Sequence, residues 1–173
     1  VFLLHSLIVG VSGAVGGTNQ LDRLLIENAH DVTIGSTLRA GVVIQSAGSG
    51  TTGINGATTI TDAGGIWLNT NAIHFAADVN ATGDIGLLPQ GGGVTQTAGM
   101  VNVSSLELDG FGDIQLDQPN NDIRGVLRAN RGGAGLSPSG QMVSACGRTG
   151  PCRRPVYSRG DVRKWARCPA GLG

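Results

Sequence analysis

Between residues 20 and 130 the apolar residues recur with a period of two, in short runs, and no window sustains a period of 3.6. That single feature excludes a long amphipathic helix from most of the chain. The runs are Leu21–Ile26, Asp31–Ile34, Gly41–Ile44, Thr58–Thr61, Gly65–Leu68, Ala72–Phe75, Asp84–Leu88, Gly93–Gln96, Met100–Val103, Leu106–Leu108, Asp113–Leu116 and Asp122–Leu127. The runs are rich in Val, Ile, Leu or Thr and are bounded by Gly, Asn, Asp or Ser, so they read as strands between turns. Composition agrees: 30 of the 173 residues are Gly and only 14% are charged. Collagen is excluded because Gly does not fall on every third position. A membrane-spanning helix is excluded because no apolar run reaches the roughly 18 residues required.

Two all-β architectures compete, a sandwich and a parallel solenoid. A degenerate unit, Gly or Asp followed by apolar, any residue, apolar, recurs at Asp31–Ile34, Gly41–Ile44, Gly65–Leu68, Asp84–Leu87 and Asp113–Leu116. Its leading apolar residues, Val32, Val42, Ile66, Ile85 and Ile114, are unevenly spaced. Uneven spacing suits a solenoid whose corners accept insertions, yet strand spacing alone also suits a sandwich. Side-chain size separates them. Stacked turns pack like on like, which favours Val, Ile, Leu and Thr, with Gly, Asn and Asp at corners that need positive φ. A sandwich core is usually bulkier, and this region holds only Trp67, Phe75 and Phe111 as aromatics. The expected fold is all-β, a parallel β-helix of roughly five or six coils with about 20 residues each, under about 30 Å long.

Ala14–Thr18, Asp31–Gly35, Gly91–Thr97 and Gly110–Leu116 with Gln118–Asp122 carry a resemblance to a known family. These segments resemble units of large repetitive bacterial exoproteins of the filamentous-haemagglutinin and autotransporter-passenger type. The resemblance covers roughly residues 10–130. It implies a right-handed β-helix, a place at the cell surface or outside the cell, and an adhesive rather than catalytic role. The amino-terminal secretion domain and carboxy-terminal membrane barrel of that family have no counterpart in the sequence.

Charge divides the chain. Residues 1–130 hold four Arg and eleven acids; residues 131–173 hold eight basic residues and Asp161 alone. The predicted layout is therefore an N-terminal strand or cap of a truncated repeat over 1–19, a β-helical region over 20–130 and an Arg-rich, disordered tail over 131–173. The apolar segment Val1–Val9 reads as a buried strand in preference to a signal-peptide remnant, because it lacks a basic leader. Asp161–Arg167 suggests a short helical turn within the tail, with Asp161 as its cap. The tail's abrupt change in composition suggests a shifted reading frame. Its alternative reading is a basic nucleic-acid or membrane-surface segment.

Chemical motifs are sparse. Cys146, Cys152 and Cys168 lack zinc-ligand spacing and leave one disulfide plus a free thiol as the alternative. His5, His30 and His74 fit no metal motif. Ser12, Ser46 and Ser49 form no nucleophile elbow. Gly48–Gly50 and Gly91–Gly93 lack the Lys-Ser/Thr of a phosphate loop and read as coil corners. Asn80-Ala81-Thr82 and Asn102-Val103-Ser104 are sequons, read as turn or ladder residues. Leu106, Leu108, Ile114 and Leu116 alternate with Glu107, Asp109, Asp113 and Asp117, which places aliphatic groups inward and carboxylates outward. A solvated acidic face is the expected reading; calcium binding or an acid pair is the alternative. No residue is assigned a catalytic, cofactor-binding or metal-binding role.

The resulting expectation is a non-catalytic structural or adhesive segment of an exported bacterial protein. Its partners would be surface glycans or proteins and neighbouring repeats of its own parent chain, with no specific nucleic acid and no membrane span. The competing expectation is a β-helical polysaccharide lyase or hydrolase acting through carboxylates such as Asp109 and Asp113.

Overall fold

A computed structural model describes residues 2–125, 127–130, 153–155 and 165–167. Thirteen strands follow in order: Phe2–Val11 (β1), Leu21–Ile34 (β2), Leu38–Gln45 (β3), Thr51–Ile54 (β4), Thr58–Ile60 (β5), Ile66–Phe75 (β6), Val79–Ala81 (β7), Asp84–Gln96 (β8), Val101–Val103 (β9), Ser105–Asp109 (β10), Ile114–Gln115 (β11), Asp122–Ile123 (β12) and Leu127–Asn130 (β13). All the pairings among them are parallel. The chain is a parallel β-solenoid of about six turns, with no helix among the described residues.

Three columns of stacked strands form its faces. On the first, Leu24, Val43, Ile66, Ile85 and Leu106 lie in register. On the second, Val9, Val32, Thr52, Ile73, Val94 and Ile114 do so. On the third, the column is Leu38, Thr58, Val79 and Val101. The numbering within each column advances almost evenly, so the expected coil length is the one found. β2, β6 and β8 are long because each bends through the first corner and serves two faces.

Alternation dictates the interior. Alternate residues of each strand point into the bore, and these are nearly all aliphatic: Leu24 and Ile26, Ile66 and Leu68, Ile85 and Leu87, Leu106 and Leu108 on the first face are all buried. Each buried Val, Ile or Leu contributes about 1.5–3 kcal/mol, and each packs on its equivalents in the turns above and below. The aromatic Phe75 is fully enclosed, stacked in register between Ile54 and Gln96.

Within the solenoid, three sequence expectations need correction. The run Gly41–Ile44 is out of phase with the reading of Val42 as a repeat position. Val43 and Gln45 face the bore, because they pair with Leu24 and Ile26, and Val42 and Ile44 face out. Asn and Asp do not turn corners with positive φ. Only Gly16, Gly65, Gly93, Gly99 and Gly112 do so among the described residues. The N-terminal segment is a strand, as expected, but it is not buried throughout: Val9 faces the bore, whereas Leu7 and Ile8 are exposed in this first coil of the stack.

In the tail, Arg153–Pro155 (β14) pairs antiparallel with Trp165–Arg167 (β15), so 165–167 is strand and not the expected helical turn. Interstrand hydrogen bonds replace the local ones a helix would use. Cys146, Cys152, Cys168 and the disorder expected of the tail lie outside the described residues.

Candidate functional site: the outward faces and corners

Acidic side chains act first as corner fittings. The Asp31 carboxylate accepts a hydrogen bond from the backbone N–H of Thr51 at 2.8 Å, and Asp78 accepts one from Met100 at 2.9 Å. Each acid precedes an inward residue and each donor lies one coil later. A corner cannot complete the regular ladder, so the carboxylate supplies the missing acceptor.

A buried amide pair lies in the bore at the corner before β12. Gln96 Nε2 donates to Asn121 Oδ1 at 3.0 Å, and Asn121 Nδ2 donates back to Gln96 Oε1 at 2.7 Å. Asn121 Oδ1 also accepts from the Val101 N–H at 2.8 Å. In the coils below, backbone carbonyls fill that role, Asp78 for Thr58 and Met100 for Val79. The Asn121 side chain therefore stands in for a carbonyl at this corner. Asn121→Ala strands the Val101 donor and half the Gln96 amide, so a loss of about 2 kcal/mol is expected in urea unfolding. A loss below about 0.5 kcal/mol would show that water replaces the amide. Gln45 contrasts with this pair. Its Oε1 accepts from Thr52 Oγ1 at 2.6 Å, while its buried Nε2 has no partner.

On the third face the two sequons sit one above the other. Asn80 and Asn102 are register partners, and Asn102 Nδ2 donates to Asn80 Oδ1 at 3.1 Å. Arg124 extends the ladder by donating to Asn102 Oδ1. The hydroxyls two residues on are also occupied. Thr82 Oγ1 donates to the Thr61 carbonyl at 2.6 Å and Ser104 Oγ to the Thr82 carbonyl at 2.5 Å. On the second face the His74 ring lies between the hydroxyls of Thr95 (3.0 Å) and Thr97 (3.3 Å). His30 contacts Ser49 at 2.8 Å on a different coil.

The first face is different. Its central outward ladder runs Leu25, Ile44, Trp67, Gly86, Glu107. The indole Nε1 donates to the Gly64 carbonyl at 2.9 Å. The six-membered ring occupies the space that a Cβ at Gly86 would take, which is why this outward glycine is buried. Leu88 and Val42, both partly buried, flank the ladder.

The acids singled out by sequence behave unevenly. Asp109, Asp113 and Asp117 are exposed and Glu107 half-buried, opposite the inward Leu106, Leu108 and Leu116. The backbone carbonyl of Asp113 accepts from the Val94 N–H at 2.8 Å. Among the described residues no three His, Cys, Asp or Glu side chains come together as metal ligands. No helix among those residues is long and apolar enough to cross a membrane. Gly48–Gly50 and Gly91–Gly93 lie at corners between the first and second faces. Sequence reasoning did not find the buried amide pair or the Trp67–Gly86 contact. The recurrence of Asn-x-Ser/Thr one coil apart, at Asn80 and Asn102, was the available sign of the third-face ladder.

The architecture defines a β-solenoid repeat protein. Residues 68–130 match a family model described as repeats of unknown function (DUF5649). No curated protein and no solved structure matches the chain.

Proposed function

We propose that the chain is a non-catalytic structural and adhesive segment of an exported bacterial surface protein, resembling the filamentous-haemagglutinin and autotransporter-passenger type. The observation that supports this reading is the in-register stacking of outward positions from turn to turn, polar on the third face at Thr59, Asn80, Asn102 and Asp122. Outward positions repeat at the strand spacing of about 4.8 Å, so one face offers several weak contacts in a line. A stiff stack holds them at fixed separation, and the binding of the whole then exceeds that of any single contact. Its partners are surface glycans or proteins and neighbouring repeats of the parent chain.

Beads carrying the full chain at graded densities test this against bacterial and epithelial cells. Steep dependence of adhesion on density, with weak inhibition by the soluble chain, is expected. Adhesion that tracks density linearly and is blocked stoichiometrically, or cleavage of a polysaccharide by the chain, would overturn the reading.

A further inference from the structure

We infer that Trp67 and its surroundings form a platform for a neutral oligosaccharide; this rests on the adhesive reading and names its ligand class. Trp67 is 37% exposed on the outward side of the first face, an unusual position for so large an apolar side chain. Two features fix it there. Its only donor is already bound to the Gly64 carbonyl at 2.9 Å. Its six-membered ring lies over Gly86, where no side chain competes for the space. Binding therefore requires no further ordering of the ring, which lowers the entropic cost of capture.

The size of the patch decides between occupants. Leu25, Ile44, Trp67 and Gly86 span three strand spacings, and three outward positions span the strand, giving a footprint of roughly 200 Å² in which Leu25, Val42, Ile44, Trp67 and Leu88 are the apolar groups. A second protein rod seated on this face needs about 800 Å² per partner for a stable contact. The patch is too small for that and matches a few sugar rings, whose C–H faces are apolar and whose edges are polar. The rim supplies polar partners on one side: Gln90 Nε2 donates to Asn69 Oδ1 at 2.7 Å, and Asn69 Nδ2 to the Ser46 carbonyl at 2.9 Å. That chain of amides fixes two side chains beside the ring.

Charge selects among sugars. Asp84 and Glu107 border the upper end and Glu27 the lower; the cations are Arg23 on the first of these coils and Arg128, the register partner of Glu107 one coil beyond. Three acids against two cations leave the border net negative by one charge, which disfavours uronates and sulfated chains relative to neutral ones. A neutral hexopyranose or N-acetylhexosamine oligomer is the ligand class that remains.

Calorimetric titration of the full chain with cellotetraose, chitotetraose and tetragalacturonate tests the assignment. Saturable binding of at least one neutral tetramer and none of the uronate is expected. Trp67→Ala should weaken it at least about tenfold, and Trp67→Phe should retain most of it, as loss of one stacking contact implies. An unchanged thermal midpoint in Trp67→Ala separates lost binding from lost folding. Absence of binding to both neutral tetramers up to millimolar concentration, equal binding by Trp67→Ala, or preference for the uronate overturns the platform. Bead adhesion that persists in Trp67→Ala while neither neutral sugar binds the parent chain would sink the platform and leave the adhesive reading standing.

Discussion

Phe75→Ala is expected to lower the unfolding free energy of the full chain by about 3–5 kcal/mol, the range for emptying an aromatic core site. Phe75 is fully buried, with Ile54 beneath it and Gln96 above it in the same column. Its neighbours are held by ladder hydrogen bonds on both sides, so they have little freedom to collapse into the space. Phe75→Leu keeps most of the volume and should cost under about 1.5 kcal/mol. Urea unfolding followed by far-ultraviolet circular dichroism gives both values. A Phe75→Ala loss below about 1 kcal/mol, well under the usual cavity range, would mean that the bore closes around the space.

Gly65→Ala should be comparably damaging for a different reason. Gly65 has φ of +63°, and a Cβ there would run into the backbone carbonyl of Asp84 in the next turn. The left-handed conformation alone costs a non-glycine residue about 1–2 kcal/mol. The collision adds to this, since neighbouring turns must separate at that corner and stretch their ladder. A total of at least about 3 kcal/mol is expected. Gly17 is the matched control. It has no positive φ, and nothing lies within 4 Å of a Cβ built there. Gly17→Ala should be neutral or stabilising by about 0.4–1 kcal/mol, through reduced freedom of the unfolded chain. Equal losses in the two variants would show that glycine content as such, and not corner geometry, sets stability.

The fold was legible because inward positions obey one rule. Small aliphatic side chains in short alternating runs can fill a narrow stacked bore, and the same runs carry too few aromatics for a thick sandwich core. The regularity of the coils was harder to read. Val32 and Ile114 belong to the second column, whereas Ile66 and Ile85 belong to the first. Mixing columns produced irregular intervals, and sorting the residues by face restores a nearly constant coil on the first two faces. Val42 misled because two adjacent valines let the alternation start on either. Only the partner strand fixes which one is inward. The roles of Asp31, Asp78 and Asn121 were not legible. Each side chain bonds the backbone of a neighbouring coil, and nothing in its own stretch of sequence announces that partner.

The direction of the ladder bonds has a mechanical meaning. They join one turn to the next, along the long axis, and no strand runs the length of the rod. Tension applied at the two tips therefore loads one end coil at a time, like peeling tape, and never shears many bonds at once. Such a tether gives way at low force in small steps, lengthening by a single coil's worth of chain per event.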